Sequence, residues 1–152
     1  MSSEVHEISI ALIRCSDAPE KQWLAFMDDS ETALSFLTAD RLEKESWREC
    51  LDRELAWRLE LRRGKDYLIS SMARRHFDET IDDAGDGRTQ HFSYEFFVVD
   101  PYGSAGRQAF RVIPNSRWVT NEELRNGATN DGVAVSSWLK DLLLKTDLLP
   151  KG

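Results

Sequence analysis

Hydrophobic and polar residues alternate along several stretches of the chain. Within Val5–Ile13 the aliphatic residues Ile8, Ile10 and Leu12 share one face, which is the two-residue period of a half-buried β-strand. Patterns of the same kind predict further strands at Gln22–Met27, Ala33–Leu37, Lys65–Ala73 and Gln90–Val99. The first third of the chain is therefore predicted to be rich in strands.

Two loops are predicted in the second half of the chain. Asp78–Gly87 is acidic and contains glycine, and Asp100–Gly106 is rich in turn-forming residues. The second loop leads to Gln108–Ile113.

The hydrophobic period changes to three or four residues in two segments, which predicts amphipathic helices. The first lies within Glu45–Leu61, with Ser46 as its predicted N-cap. Its predicted end is the Arg62-Arg63-Gly64 corner, because basic residues favour the C-terminal end of a helix and glycine often follows that end. The second helix is predicted at Val133–Lys145.

Length and composition favour one compact domain. The chain has 152 residues, of which 41% are hydrophobic and 31% charged, so it can bury a sizeable core. Strands, a helix, further strands and a last helix follow one another without an internal repeat. Since each helix must bury its apolar stripe, the predicted architecture is a single domain over residues 1–152, with helices on the faces of a mixed sheet.

The charge of the chain argues against two classes of partner. A net charge of -7 and a pI near 5.0 are unfavourable for general binding to nucleic acid or to an anionic membrane surface. The N-terminus lacks the pattern of a signal peptide, and no run reaches the ~18 apolar residues of a membrane span. We therefore expect a soluble cytoplasmic protein.

Cysteine and histidine do not indicate a disulfide or a metal site. Cys15 and Cys50 lie far apart without a CxxC spacing, so free thiols are expected. Cys50 lies on the apolar stripe of the first helix and is predicted to be a small buried residue. The histidines His6, His76 and His91 lack the HxH or HxxxH spacing of metal ligands.

The segment Ala39–Leu61, ADRLEKESWRECLDRELAWRLEL, resembles the catalytic box of the Nudix hydrolases, whose pattern is GX5EX7REUXEEXGU with U an aliphatic residue. Glu45 falls on the first glutamate, Arg53-Glu54-Leu55 on the REU triplet, and Leu61 on the terminal aliphatic position. The other four positions differ from the pattern: Ala39 and Glu60 stand in place of glycines, and Trp57 and Arg58 in place of glutamates.

The resemblance extends to the order of elements. Ser35-Phe36-Leu37 is similar to the strand that precedes the box in this family, and the segment WVTNEEL at 118–124 with the helix after it is similar to the family's C-terminal part. The resemblance implies the Nudix fold, an α/β/α sandwich in which helices cover both faces of a mixed β-sheet.

In this family the REUXEE glutamates share one helix face and bind divalent cations, which hold a diphosphate and activate water. Transferred residue by residue, Glu54 remains as a metal ligand, whereas Trp57 has no carboxylate and Arg58 is permanently cationic. The resemblance therefore implies a Nudix fold with a degenerate box, in which Glu45 and Arg53 hold the loop and the helix together.

Two functions are compatible with this pattern. We favour a noncatalytic domain, without a cofactor, that binds a small molecule such as a phosphorylated one, or a protein partner. In this hypothesis Arg58 holds an anionic group and Trp57 stacks on a flat ring.

The alternative is a hydrolase of nucleoside diphosphate-linked compounds, with Glu54 as catalytic residue and ligand of an altered Mg²⁺ or Mn²⁺ site. Acidic residues that could rebuild such a site are Glu43, Glu45, Glu49, Asp52, Glu60 and Glu95. Two plainer interpretations stay open: an ordinary surface helix with a weak Glu54–Arg58 ion pair, and an unrelated α+β domain.

Overall fold

The strands and helices form two β-sheets flanked by helices. The computed structural model describes residues 3–14, 22–28, 32–82, 85 and 87–149, so Cys15 lies outside the described residues. The strands are β1 (Ser3–Ile13), β2 (Gln22–Asp28), β3 (Ala33–Ser35), β4 (Thr38–Asp40), β5 (Tyr67–Ile69), β6 (Arg75–Asp82), β7 (Thr89–Pro101) and β8 (Ser116–Thr120). The helices are α1 (Trp47–Arg58), α2 (Gly103–Arg111), α3 (Asn121–Asn126) and α4 (Ser137–Lys145).

The larger sheet is mixed, with the strand order β4-β1-β7-β5 and with β6 also paired to β7. β1 and β7 run parallel, from the Ser3–Thr89 pair to the Ile13–Val99 pair. The other pairs in this sheet are antiparallel. The smaller sheet is antiparallel and has the order β3-β2-β8.

The second half of the central strand β1, Ser9–Ile13, is buried on both faces. Ile10 and Leu12 belong to an apolar cluster that includes residues of α3 and α4, while Ala11 and Ile13 belong to a second cluster with residues of α1 and α2. The prediction of a half-buried strand is wrong here, because helices cover both faces of the larger sheet. The arrangement is an α/β/α sandwich with a mixed sheet, which confirms the predicted fold class.

The predicted strand Ala33–Leu37 ends two residues early, at Ser35, and the chain then passes to the larger sheet. β3 ends at Ser35 and pairs with β2 in the smaller sheet, whereas β4 begins at Thr38 and pairs with β1 in the larger one. Phe36 and Leu37 connect them, and both side chains are buried. The chain thus crosses from one sheet to the other shortly before α1.

Helix α1 begins as predicted. Ser46 is its N-cap and forms a capping box with Glu49: the Glu49 N–H donates to Ser46 Oγ over 3.0 Å, and the Ser46 N–H donates to Glu49 Oε1 over 3.0 Å. The apolar stripe of the helix, with Cys50, Leu51 and Leu55, is fully buried against the larger sheet.

The same helix ends earlier than predicted, at Arg58 rather than at the Arg62-Arg63-Gly64 corner. Glu60 takes a left-handed conformation with a φ of 54°, which stops the helix. The Leu61 N–H then donates to Ala56 O over 3.1 Å, and the Leu61 side chain is buried. This is the hydrogen-bond pattern of a Schellman C-cap, for which glycine is the usual residue at the left-handed position.

Strand β6 contains residues that were predicted to begin the acidic loop Asp78–Gly87. Asp78–Asp82 pairs with β7, and residues 83, 84 and 86 of that loop lie outside the described residues. The prediction is wrong for this part because β6 pairs on one side only among the described strands, and charged side chains suit such an edge. β5 is also shorter than predicted, with Tyr67–Ile69 in place of Lys65–Ala73.

Helix α2 begins inside the predicted turn-rich loop Asp100–Gly106 and continues into Gln108–Ile113, where no helix was predicted. Its Gly106 is buried against the backbone of Asp66, so that a Cβ atom at this position would lie 2.3 Å from Asp66 O. The glycine therefore serves close packing inside a helix rather than a turn, and the prediction is wrong for that reason.

The two helices of the C-terminal part, α3 and α4, each begin with a side-chain N-cap. Thr120 Oγ1 accepts a hydrogen bond from the Glu123 N–H over 3.1 Å at the start of α3. Ser136 caps α4, which begins later than the predicted Val133. Leu139 is fully buried in this helix, whereas Trp138 is 37% exposed at the edge of the stripe.

In the part of the chain that the structure describes, no helix is both long and apolar enough to cross a membrane.

Candidate functional site

Glu45 and Arg53 tie the loop before α1 to the helix. Arg53 donates to both Glu45 oxygens, from Nε to Oε2 over 2.8 Å and from Nη2 to Oε1 over 3.1 Å. Arg53 Nη2 also donates to Asp40 O over 3.1 Å, and the Leu42 N–H donates to Glu45 Oε1 over 3.0 Å. The hydrogen bond between the two side chains lowers the pKa of Glu45 and raises the pKa of Arg53. β4, the loop and α1 are therefore held together by one ion pair.

Glu54 lies between two arginines. Arg53 Nη1 donates to Glu54 Oε1 over 2.7 Å, and Arg58 Nε lies 3.0 Å from Glu54 Oε2. Only 16% of the Glu54 side chain is exposed. The carboxylate is thus neutralised by cations of the chain itself, and the Glu54–Arg58 ion pair is confirmed.

Trp57 and Arg58 line different surfaces, although they are adjacent in sequence. Trp57 is 77% exposed, in a shallow depression beside Glu54. Arg58 lines a separate cleft and donates from Nη1 to Thr38 O over 3.4 Å. The Glu54–Arg58 ion pair lies between the two surfaces, so the structure does not bring the predicted ligand-binding pair into one pocket.

The cleft has a volume of about 620 Å³ and lies where the chain crosses between the sheets. Its apolar lining consists of Ile8, Phe26, Met27, Phe36, Leu37, Leu59 and Trp138. Its polar lining consists of Asp28, Ser35, Thr38, Arg58 and Ser136. The cleft therefore combines apolar and aromatic surface with a guanidinium, a carboxylate and hydroxyl groups, which suits a small organic ligand.

Sequence reasoning did not identify most of this lining as a site. Phe26 and Trp138 belong to elements that were predicted correctly, but nothing in their spacing distinguishes a cleft residue from a core residue. Ser35, Phe36 and Leu37 carried a usable signal, since the sequence identified them as the segment directly before the box-like helix.

Acidic residues around α1 do not form a metal-binding group. Among the described residues, no three His, Cys, Asp or Glu side chains are placed to hold a metal ion. Glu45 binds Arg53, Glu49 caps α1, Asp52 accepts a hydrogen bond from Tyr67, Glu95 contacts His76, and Glu43 and Glu60 are exposed. This donor set does not fit the several oxygen ligands that Mg²⁺ or Mn²⁺ requires.

Cys50 lies beneath the site and is fully buried, as predicted. Its Sγ donates to Ser9 Oγ over 3.2 Å. Burial raises the pKa of the Cys50 thiol, which favours the unreactive protonated form.

Solved structures of other proteins have a similar fold. The Ap4A hydrolase of C. elegans matches with a TM-score of 0.56 and 13% identity, over 93% of this chain and 95% of that chain. A MutT protein from Bacillus halodurans matches with a TM-score of 0.57 and 12% identity, over 91% of this chain and 80% of that chain. RenU, a Nudix hydrolase from M. smegmatis, matches with a TM-score of 0.56 and 11% identity, over 92% and 84%.

The chain has the Nudix fold. No family model and no curated protein matches the sequence, so the likeness lies in the structure. The interpretation as an unrelated α+β domain is therefore wrong. Within the Nudix fold, the strand, loop and helix from Phe36 to Leu61 form the site described above. The glutamate at Glu60 takes the left-handed conformation that the glycine of the box pattern would favour.

Proposed function

We propose that this Nudix-fold protein is a noncatalytic domain that binds a small ligand in the cleft beside Arg58. The observation that supports the proposal is the environment of Glu54, the remaining glutamate of the REUXEE pattern. Its two oxygens face Arg53 and Arg58, at 2.7 and 3.0 Å. A carboxylate held in this way does not serve as the centre of a divalent-metal site.

The electrostatic cost of a metal ion at this position is large. Two like unit charges about 4 Å apart repel by about 4 kcal/mol at an effective dielectric near 20, and a divalent ion doubles that energy for each arginine. Hydrolysis of a diphosphate at Glu54 would therefore require both Arg53 and Arg58 to move away. Other carboxylates would also have to leave their partners to complete the coordination shell.

Arg58 provides a group that binds an anion directly. A guanidinium has five N–H donors in a planar fork that matches phosphate and carboxylate oxygens. Among the described residues, Nε faces Glu54 and Nη1 reaches Thr38 O, while no hydrogen bond involves Nη2. The neighbouring aromatic and aliphatic surface of the cleft suits the apolar part of the same ligand. We infer a ligand that combines an anionic group with a flat or apolar group.

Isothermal titration calorimetry without divalent metal tests this proposal, after a thermal-shift screen of phosphorylated and carboxylated small molecules. We expect Arg58→Ala to weaken binding by about tenfold or more, because charge-assisted hydrogen bonds are lost. The affinity of Arg58→Lys should lie between those of the wild type and Arg58→Ala, since lysine keeps the positive charge but lacks the planar fork of N–H donors. Trp57→Ala is the matched control and should bind as the wild type does, because Trp57 lies outside the cleft.

The hydrolase alternative leads to the opposite result. It requires turnover of nucleoside diphosphate derivatives with Mg²⁺ or Mn²⁺, and loss of that turnover in Glu54→Gln. Such activity would contradict the proposal, as would ligand binding that is equally strong in the wild type and in Arg58→Ala.

A further inference from the structure

A second, smaller pocket lies between α4 and the larger sheet. Its volume of about 180 Å³ corresponds to about six water-sized groups at ~30 Å³ each. Aromatic rings and charged groups line it together: Phe92, Tyr94, Trp138, Glu79, Asp141 and Lys145. Trp138 is the one lining residue that it shares with the cleft beside Arg58 among the described residues.

The rings form two adjoining walls of this pocket. Phe92 and Tyr94 are on the same face of β7, with centroids 6.0 Å apart and planes within 8° of each other. Trp138, on α4, lies 6.1 Å from Tyr94 with its ring tilted by 59°. The face of an aromatic ring is electron-rich, so rings around a small pocket attract a cation.

The polar wall of the pocket carries more negative than positive charge. Glu79 and Asp141 contribute carboxylates, and Lys145 contributes an ammonium group. Glu79 accepts a hydrogen bond from Tyr94 Oη over 3.3 Å and one from Lys145 Nζ over 3.3 Å. The Glu79 side chain is only 19% exposed, so its charge is incompletely screened by water. The ammonium group of Lys145 therefore already occupies a position beside the Glu79 carboxylate.

We infer that this pocket binds a small ammonium cation that carries methyl groups. The methyl groups would fill the space against Phe92 and Trp138, since Tyr94 is only 1% exposed and supports these two rings from within the core. The positive charge would face Glu79 and Asp141. The volume admits a trimethylammonium group and excludes a nucleotide, and the net charge disfavours an anion. Lys145 competes for Glu79, so the ligand displaces the ammonium of Lys145 on binding.

Choline is the probe, and 3,3-dimethylbutan-1-ol, which has nearly the same shape without the charge, is the control. The NMR signal of the Trp138 indole N–H reports binding, and its absence from Trp138→Phe assigns it. We expect choline to shift this signal with a dissociation constant in the millimolar range. The neutral compound should bind about tenfold more weakly or not at all.

Variants of the pocket separate the roles of its charges and rings. Lys145→Met keeps the aliphatic stem and removes the competing ammonium, so choline should bind about threefold more tightly or better. Asp141→Asn should weaken choline binding by a similar factor, because it removes a negative charge from the pocket. Asp141 is exposed, so this change should not disturb the core. Phe92→Leu should weaken choline binding further by removing a ring face. Unchanged signals elsewhere in the spectrum confirm that each variant is folded.

A trimethyl-lysine peptide in a parallel titration identifies the source of the cation. Tighter binding of the peptide than of choline supports a methylated side chain as the ligand, and tighter binding of choline supports a small quaternary ammonium molecule. Equal binding of choline and its neutral counterpart would overturn the inference. So would the absence of a shift at saturating choline in both the wild type and Lys145→Met.

Discussion

Residues Arg53 and Arg58 determine what Glu54 can do. Each contributes a cation to the same carboxylate, and each also contacts a backbone carbonyl of β4, at Asp40 and at Thr38. A glutamate on a catalytic helix would instead need an open face for a hard cation. In the proposed function, Glu54 is therefore a structural anion held by the two arginines rather than a metal ligand.

Replacing Arg53 with alanine should destabilise the protein by about 2 kcal/mol, because the partly buried Glu54 carboxylate loses its 2.7 Å hydrogen bond. Urea unfolding followed by tryptophan fluorescence measures the change. Arg74→Ala is the control, since Arg74 is exposed and its side chain makes no hydrogen bond or ion pair within the described part of the chain. A loss of equal size in the two variants would show that the hydrogen bonds of Arg53 contribute no more to stability than an exposed side chain does.

The end of α1 shows how an element is stopped without glycine. Glu60 adopts the left-handed conformation because Leu61 must turn back into the core, where its side chain is buried. For a residue with a Cβ atom, this conformation costs roughly 1–2 kcal/mol. The end of the helix is thus set by burial of the following residue rather than by local preference.

Glu60→Gly should stabilise the protein by about 1 kcal/mol, because glycine adopts a positive φ without steric cost. Glu43→Gly is a matched control: Glu43 is also exposed but has no positive φ, so the added flexibility should destabilise. Chemical denaturation of the two variants beside the wild type decides the point. A Glu60→Gly protein that is less stable than the wild type would contradict this account of the helix end.

The sequence could predict the elements whose buried hydrophobic residues recur with one clear period along the chain. α1 and α4 each bury one stripe, and the aromatic pattern of β7 is continuous, so all three are recognisable. β6 and α2 could not be predicted, because their features depend on partners distant in sequence. The acidic β6 is a strand only because β7 lies beside it, and Gly106 belongs to a helix only because Asp66 lies against it.

The candidate site was predictable to a similar degree. The positions of Arg53 and Glu54 follow from the pattern of α1, since neighbours on a helix depend on the local chain. The role of Glu45 in the loop before α1 was implied by the resemblance to the Nudix box. The separation of Trp57 from Arg58 depends on where Thr38 and the cleft lie in three dimensions. The cleft itself is built from both sheets and α4, which no local pattern specifies.

At the scale of the whole molecule, His76 connects charges of the larger sheet with α1. Its Nδ1 lies 3.0 Å from Glu95 Oε2, its Nε2 lies 3.0 Å from Asp78 Oδ1, and its ring meets Trp47 edge-on at 5.9 Å. Partial burial lowers its pKa, but the hydrogen bonds and charges of Glu95 and Asp78 outweigh burial and raise the pKa overall. The imidazolium form is therefore favoured in the folded state.

Stability should accordingly fall as the pH rises through the folded-state pKa of His76. The contribution is fully present below the unfolded value of about 6.5 and is lost above the raised folded value. Urea unfolding between about pH 6 and pH 9 should show a steeper loss of stability in the wild type than in His76→Gln. Identical pH profiles would contradict this role. His91→Gln serves as the control for a histidine whose contact is with the hydroxyl of Thr80.

The central claim is that the side chains at positions 57 and 58, and not the fold, prevent a divalent-metal site at Glu54: Trp57 offers no carboxylate and Arg58 is a cation. Mn²⁺ binding followed by electron paramagnetic resonance tests it in the wild type and in the double variant Trp57→Glu, Arg58→Glu. The two introduced carboxylates would share one helix face with Glu54, at i+3 and i+4. We expect the double variant to bind Mn²⁺ at least about tenfold more tightly than the wild type. Wild-type binding of Mn²⁺ that is as tight as that of the double variant, and is lost in Glu54→Gln, would contradict the account.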